Sequence, residues 1–94
     1  MRPEIVHQPA QHRFVTEVDG RSAFLRYRPL DEHTLDLTTT WVDPALRGRG
    51  VGEALVEAAL DYARERGCGV IPTCWFVRTV VERNPEYGDL LRDG

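Results

Sequence analysis

The tightest constraint in this chain is a short segment, Arg47-Gly48-Arg49-Gly50-Val51-Gly52, in which three glycines stand directly ahead of a strongly periodic apolar pattern. Val51, Ala54, Leu55, Ala58, Ala59, Tyr62 and Ala63 fall on one face of an amphipathic helix. Glu53 and Glu57 early, with Arg64 and Arg66 late, suit the helix dipole, and Gly67 is placed as the residue that ends it. The stretch before the glycines, HTLDLTTTWV, is rich in β-branched and aromatic residues and reads as a strand closed by Asp43-Pro44; Leu35, Leu37, Thr39 and Trp41 are expected on one face. After the helix, CGVIP reads as a short apolar strand closed by Pro72. Strand, helix and strand in this order imply a crossover between strands that run the same way. Glycine loses more backbone freedom on folding than any other residue, so three of them at a helix start require a reason.

Upstream, HRFVTEVDGRSAFLRYRP reads as a hairpin turning at Asp19-Gly20, since both central residues of a type I′ turn need positive φ. In its second arm Ala23, Leu25 and Tyr27 share one face, and Phe24, Arg26 and Arg28 the other. Downstream, TCWFVRTVVERN reads as a second helix with Thr73 as its N-cap and Asn84-Pro85 as its end. The expected order is β-β-β-α-β-α: an α/β (α+β) fold with a mixed, mainly antiparallel sheet and helices packed on it. Residues 1–94 are read as one domain, with 1–11 as a tail or a first short strand.

A net charge of −3, from 15 acidic and 12 basic residues, speaks against general electrostatic binding to nucleic acid or to anionic membranes. Cys68 and Cys74 have the spacing of neither a zinc or redox C-x-x-C pair nor a secreted disulfide framework, and no metal site is expected. No apolar run approaches the roughly 20 residues needed to span a bilayer, and the N-terminus lacks the apolar core of a signal peptide. A reduced, cytoplasmic chain is the expectation.

The first turn of a helix leaves N–H groups unpaired, with partial positive charge, and glycines remove the side chains that would obstruct them. Arg47 to Gly52 is therefore suited to a phosphate or pyrophosphate, with two arginines to neutralise it. A P-loop would need Lys and then Ser or Thr after its last glycine, and Gly52 is followed by Glu53 and Ala54. A dinucleotide fingerprint would need a third glycine at position 53 and an early βαβ unit. The spacing that fits is Arg47-x-x-Gly50-x-Gly52. Set after WVDP and before a helix, it resembles the acetyl-coenzyme-A motif of the GNAT N-acetyltransferase superfamily. The stretch from Thr38 to Leu90, with its IPTCW segment and its Asn-Pro-Glu-Tyr ending, is similar to a short, single-domain subgroup of that superfamily.

The resemblance implies that the strand before the turn and the strand after the helix splay, with the pantetheine arm of acetyl-CoA between them. Trp41, Val42 and Asp43 would line it with backbone groups, and Arg47, Gly48, Arg49, Gly50, Val51 and Gly52 would hold the pyrophosphate. The amide of Val42 or its neighbour would polarise the thioester carbonyl. Arg78, with Arg83, would either reach the adenosine end of coenzyme A or stay solvated. A cysteine occupies the position of Cys74 in the subgroup, implying direct thioacylation or a role beside the pantetheine sulfur. By residue type alone, Cys74 is equally a small buried packer under Trp75. The subgroup often carries histidine where this chain has Thr39, and a threonine hydroxyl is no useful base near neutral pH. Asp36 and Asp43 are alternative bases; His33, at the start of the same strand and roughly 20 Å away along an extended chain, is a poor replacement. His7 and His12 are expected at the surface, and Tyr87 is expected to anchor the C-terminus by packing. The chain also lacks the helices that follow the first strand in larger members, which implies an open acceptor site. That suits a protein or peptide amine, or completion of the site by a second subunit, and leaves monomer or homodimer undecided. The expected activity is transfer of acetyl from acetyl-CoA to an amine acceptor; the alternatives are a non-catalytic acyl-CoA-binding or protein-interaction module that retains the groove, and a small interaction domain without a ligand.

Overall fold

A computed structural model describes residues 3–92. Five strands, β1 (Val6–Gln8), β2 (Arg13–Val18), β3 (Arg21–Asp31), β4 (Thr34–Val42) and β5 (Gly69–Ile71), form one sheet in the order β1-β2-β3-β4-β5. The first four are antiparallel neighbours, and β4 and β5 run parallel across the helix α1 (Val51–Glu65). Helix α2 (Trp75–Arg83) follows β5, and a 3₁₀ segment, Pro85–Leu90, brings the chain back to the sheet. The mixed, mainly antiparallel sheet with packed helices is thus present, with β1 as a fifth, edge strand.

The hairpin turn adopts the expected geometry, with positive φ at Asp19 (52°) and Gly20 (74°). Alternation in β3 buries Ala23, Leu25 and Tyr27. These residues meet Leu55, Val56, Ala59, Leu60 and Ala63 of α1 and Val77, Val80 and Val81 of α2 in a single core on one side of the sheet. Val56 and Leu60 widen the apolar stripe beyond the face read from the sequence. Beyond α1, Gly67 takes φ 68°, Cys68 N–H donates to Ala63 O at 2.8 Å and Gly67 N–H to Arg64 O at 3.2 Å. This is a Schellman closure, and it needs glycine at the left-handed position.

Two local expectations are overturned. In β4 the pairing with β3 slips between Arg26↔Thr39 and Tyr27↔Leu37, leaving Thr38 as an extra residue. One extra residue reverses the in/out alternation. Leu35 and Leu37 face the core, but Thr40 and Val42, rather than Thr39 and Trp41, continue that face; Thr39 and Trp41 are exposed on the other side. Nor does Thr73 cap α2. Its hydroxyl donates a short hydrogen bond to Asp36 Oδ1, and Cys74, with extended φ and ψ, is the capping residue without a side-chain bond.

Candidate functional site

Parallel pairing holds β4 to β5 only at Thr34↔Gly69, Leu35↔Val70 and Asp36↔Ile71. Beyond that point Pro72 ends β5, Cys74 N–H donates to Leu37 O at 3.0 Å, and the chain turns away into α2. The remainder of β4, through Val42, has no strand on that side. Asp43 N–H donates to Ser22 O of β3 at 3.2 Å. Antiparallel alternation therefore also turns the amide of Trp41 toward β3, and directs the backbone groups of Thr40 and Val42 to the open side. Of the three residues expected to line the gap with their backbones, Val42 has that orientation; Trp41 and Asp43 are committed to β3.

The opening is a groove of about 550 Å³, walled by Thr40, Trp41 and Val42 of β4, by Leu46, Arg47, Gly48 and Gly50 to Glu53 around the start of α1, and by Cys74, Trp75 and Phe76. Gly50 is the N-cap of α1 at φ 78° with no side-chain hydrogen bond. The N–H groups of Val51, Gly52 and Glu53 have no acceptor among the described residues, as the first turn of a helix dictates. They give this wall of the groove its positive end.

The glycines answer to different requirements. Gly48 and Gly50 hold positive φ (80° and 78°), where an L side chain is strained although a Cβ would meet nothing within 4 Å. Gly52 is helical, and a Cβ there would lie 3.0 Å from Phe76 Cε2 and 3.2 Å from Val42 Cγ2. Its bareness lets Phe76 and Val42 close against the helix. The spacing alone did not separate these roles.

The arginines also divide. Arg47 leans over the open edge, its Nε 3.4 Å from Val42 O. Arg49 points away, toward the β2–β3 turn, in an exposed ion pair with Asp19 at 3.2 Å. Arg78 is exposed and lines no part of the groove. Arg83 reaches back to Glu53 at 3.7 Å, so it is less free than its sequence position implies. Asp43 acts as a turn former: Oδ1 accepts from Ala45 N–H at 2.8 Å, and Arg21 lies 3.9 Å from Oδ2.

Cys74 is half-buried in the groove wall at the N-terminal end of α2, with Sγ 3.7 Å from Thr40 Oγ1. Thr39 stands on the opposite face because of the residue added at Thr38, and does not line the groove. None of the three histidines lines it either. Asp36 is buried, bonded to Thr73 and 3.6 Å from Arg28, away from the groove. His7, expected at the surface, is instead stacked on Phe14 at 4.2 Å and hydrogen-bonded to Tyr27 Oη at 2.6 Å. Burial, then the nearby Arg66 charge, lowers its pKa below the ordinary 6.5.

Glu53, Trp75 and Phe76 are groove residues that reasoning from sequence missed. Trp75 is 75% exposed at the rim, a position no motif marks. Glu53 follows the glycines directly and was read only as a helix-dipole partner; Phe76 was hidden because a helical apolar residue reads first as core.

A mixed sheet that splays beside a glycine-capped helix start is the layout of the N-acetyltransferase class. The chain belongs to the GCN5-related N-acetyltransferase family, whose model matches residues 13–90. It is 32% identical over 83 residues to protein NATD1 of Homo sapiens, covering 86% of this chain and 74% of that protein. Among solved structures it is similar to a GCN5-like protein of Staphylococcus aureus, with TM-score 0.75, 27% identity, and coverage of 99% and 91% of the two chains. It also resembles Ard1 of Thermoplasma volcanium, with TM-score 0.56 and 27% identity over 63% of this chain and 40% of that one.

Proposed function

We propose that this acetyltransferase-family chain uses acetyl-CoA as acyl donor and an amine as acceptor, with the groove between β4, α1 and α2 as the donor site. The observation that carries this reading is the set of unpartnered amides at Val51, Gly52 and Glu53, facing a groove that continues along the free edge of β4. A diphosphate suits the amides, because their dipoles and the adjacent Arg47 favour an anion where a neutral chain would gain nothing. A pantetheine arm suits the edge, because the amide and carbonyl of Val42 face a side where no strand pairs with them.

When bound, the donor supplies an acyl thioester. The chain's own contributions are positional and protonic. The Val42 backbone orients the donor along β4, and its outward N–H is the group placed to stabilise a developing oxyanion. Arg47 releases a long bond to Val42 O and turns to the phosphates. Arg49 enters by leaving Asp19, an exchange that costs little since exposed ion pairs contribute about 0–1 kcal/mol. Gly48 and Gly50 supply the left-handed turn that aims the amides outward. Arg78 remains a solvated charge outside the groove. Cys74, beside Thr40, is the thiol that can hold or give up a proton in the groove wall, and Glu53 is the carboxylate there that can accept one. Thr39 has no part in this arrangement.

Titration of acetyl-CoA followed by calorimetry and intact mass, with a screen of amines for coenzyme A release, tests the proposal. Saturable heat, a rise in melting temperature through mass-action linkage, and weaker binding for Arg47→Ala are expected. No shift at millimolar donor overturns it. One observation favours a second reading, a non-catalytic acyl-CoA-binding module: no histidine lines the groove and Thr39 faces away from it. Tight binding without turnover by any amine, and without an acetylated Cys74, selects that reading.

A further inference from the structure

Away from the groove, the side of the sheet opposite the helices carries one continuous cross-strand row, Val6↔Val15, Val15↔Phe24 and Phe24↔Trp41. Val6 and Trp41 are 48% and 39% exposed, and the rings of Phe24 and Trp41 stack at 5.8 Å. A depression of about 450 Å³ lies over its Val6 to Phe24 part. Contiguous exposed apolar surface of this kind marks an interaction site more often than a scattered residue does.

The charges beside the row say what it suits. On one side Arg13 and Arg26 are directly opposite each other across β2 and β3, an arrangement that repels. Neither has a carboxylate partner among the described residues: Arg13 Nε donates to Gln8 Oε1 at 2.6 Å, and Arg26 lies 5.1 Å over the Phe24 ring. Arg28 and Arg21, by contrast, are matched by Asp36 and Asp43. On the other side of the row stands Glu17, opposite Ser22. The surface is therefore an apolar strip with an unneutralised basic margin, Arg13 and Arg26, on one side and two acids, Glu17 and Glu4, lining the depression as well. The repulsion between two opposed guanidiniums is relieved by a carboxylate placed between them, and their forked donors match carboxylates in two-point contact.

We infer that this open face docks a polypeptide segment in which carboxylates flank an apolar side chain, the apolar group lying on Val15 and Phe24 and the carboxylates meeting Arg13 and Arg26. Trp41 belongs both to this strip and to the groove wall, so a docked segment lies next to the groove. The inference concerns the sheet face and does not rest on what occupies the groove.

Fluorescence anisotropy of the full chain with a labelled peptide of alternating glutamate and leucine, and with its lysine–leucine counterpart, tests it. The acidic peptide is expected to bind with an affinity that falls as salt rises, and the basic one to bind weakly. Substituting Arg13→Gln and Arg26→Gln together is expected to weaken the acidic peptide roughly tenfold while leaving the melting temperature unchanged or higher, since a repelling pair is removed. Glu17→Gln is expected to tighten it, and Arg13→Glu with Arg26→Glu to reverse the preference toward the basic peptide. Equal binding of both peptides, or an acidic-peptide affinity indifferent to Arg13 and Arg26, overturns the inference. So does sedimentation of the free chain as a dimer that Phe24→Ser dissociates, because a second copy then covers the face.

Discussion

Gly52→Ala tests how the groove is built. Its missing Cβ would stand 3.0 Å from Phe76 Cε2, 3.2 Å from Phe76 Cζ and 3.2 Å from Val42 Cγ2, so the neighbours must yield by a few tenths of an ångström on two sides at once. Alanine is the better helix former by roughly 0.5–1 kcal/mol, and with open space around it the substitution would stabilise the chain. Forcing a methyl into a packed contact costs about 1–3 kcal/mol. The crowding term is the larger, which leaves a net loss of about 1 kcal/mol. In a domain of this size that lowers the melting temperature by about 4–8 °C. Thermal unfolding followed by circular dichroism measures it. A double-mutant cycle with Phe76→Leu locates the cause, because trimming the ring relieves the clash and the two effects are expected to be non-additive by roughly 0.5 kcal/mol or more in the compensating direction. A Gly52→Ala protein as stable as the parent, or losses that add with Phe76→Leu, would refute the assignment of Gly52 to packing.

Further outcomes follow from the same geometry. Gly50→Ala, strained at φ 78° but unobstructed, is expected to lose about 1–2 kcal/mol by chemical denaturation, with no rescue from Phe76→Leu. Tyr87, raised to about 12 by burial and then by its hydrogen bond to Asp61, favours its protonated form in the fold; its contribution is complete below pH 10, the ordinary value, and is lost as pH rises toward 12. A pH series of unfolding curves for Tyr87→Phe is expected to lack that alkaline loss. His7 has the opposite sign, because burial keeps it neutral: its contribution is complete above its ordinary pKa of 6.5 and is lost as pH falls through the lower folded value. His7→Phe is therefore expected to flatten the acid limb of the stability profile.

How much of this was legible in the sequence depends on range. The Asp19-Gly20 turn, the stripe from Val51 to Ala63 and the stop at Gly67 are set by φ preferences and by residues within a few positions of each other, and the structure has them where the sequence places them. The glycine segment likewise leads to the groove, since an exposed helix start is a local property. Thr38 shows where such reasoning stops. The extra residue exists only relative to β3, and no pattern inside TTTWV distinguishes a strand that slips from one that does not. With the slip unseen, Thr39 and Trp41 fell on the wrong face. His7 was misread for a related reason: its aromatic neighbours Phe14, Tyr27 and Tyr62 come from three other elements. The ion pair of Arg49 with Asp19 is equally invisible to local reading, because the two lie 30 residues apart in different turns.

The slip at Thr38 makes residue count, rather than residue type, the variable that decides which side chains of β4 face inward. Pairing the same residues regularly, without the slip, would set Thr40 opposite Phe24 and send the indole toward the helices, altering the groove and the open face together; removing one of the three threonines instead heals the slip and leaves Trp41 opposite Phe24. A relative one residue shorter here can therefore keep the rest of the strand as it is, whereas one that keeps the count and loses the slip must exchange the inward and outward residues from Thr38 to Val42, and that difference is the trace to look for when their sequences are laid side by side.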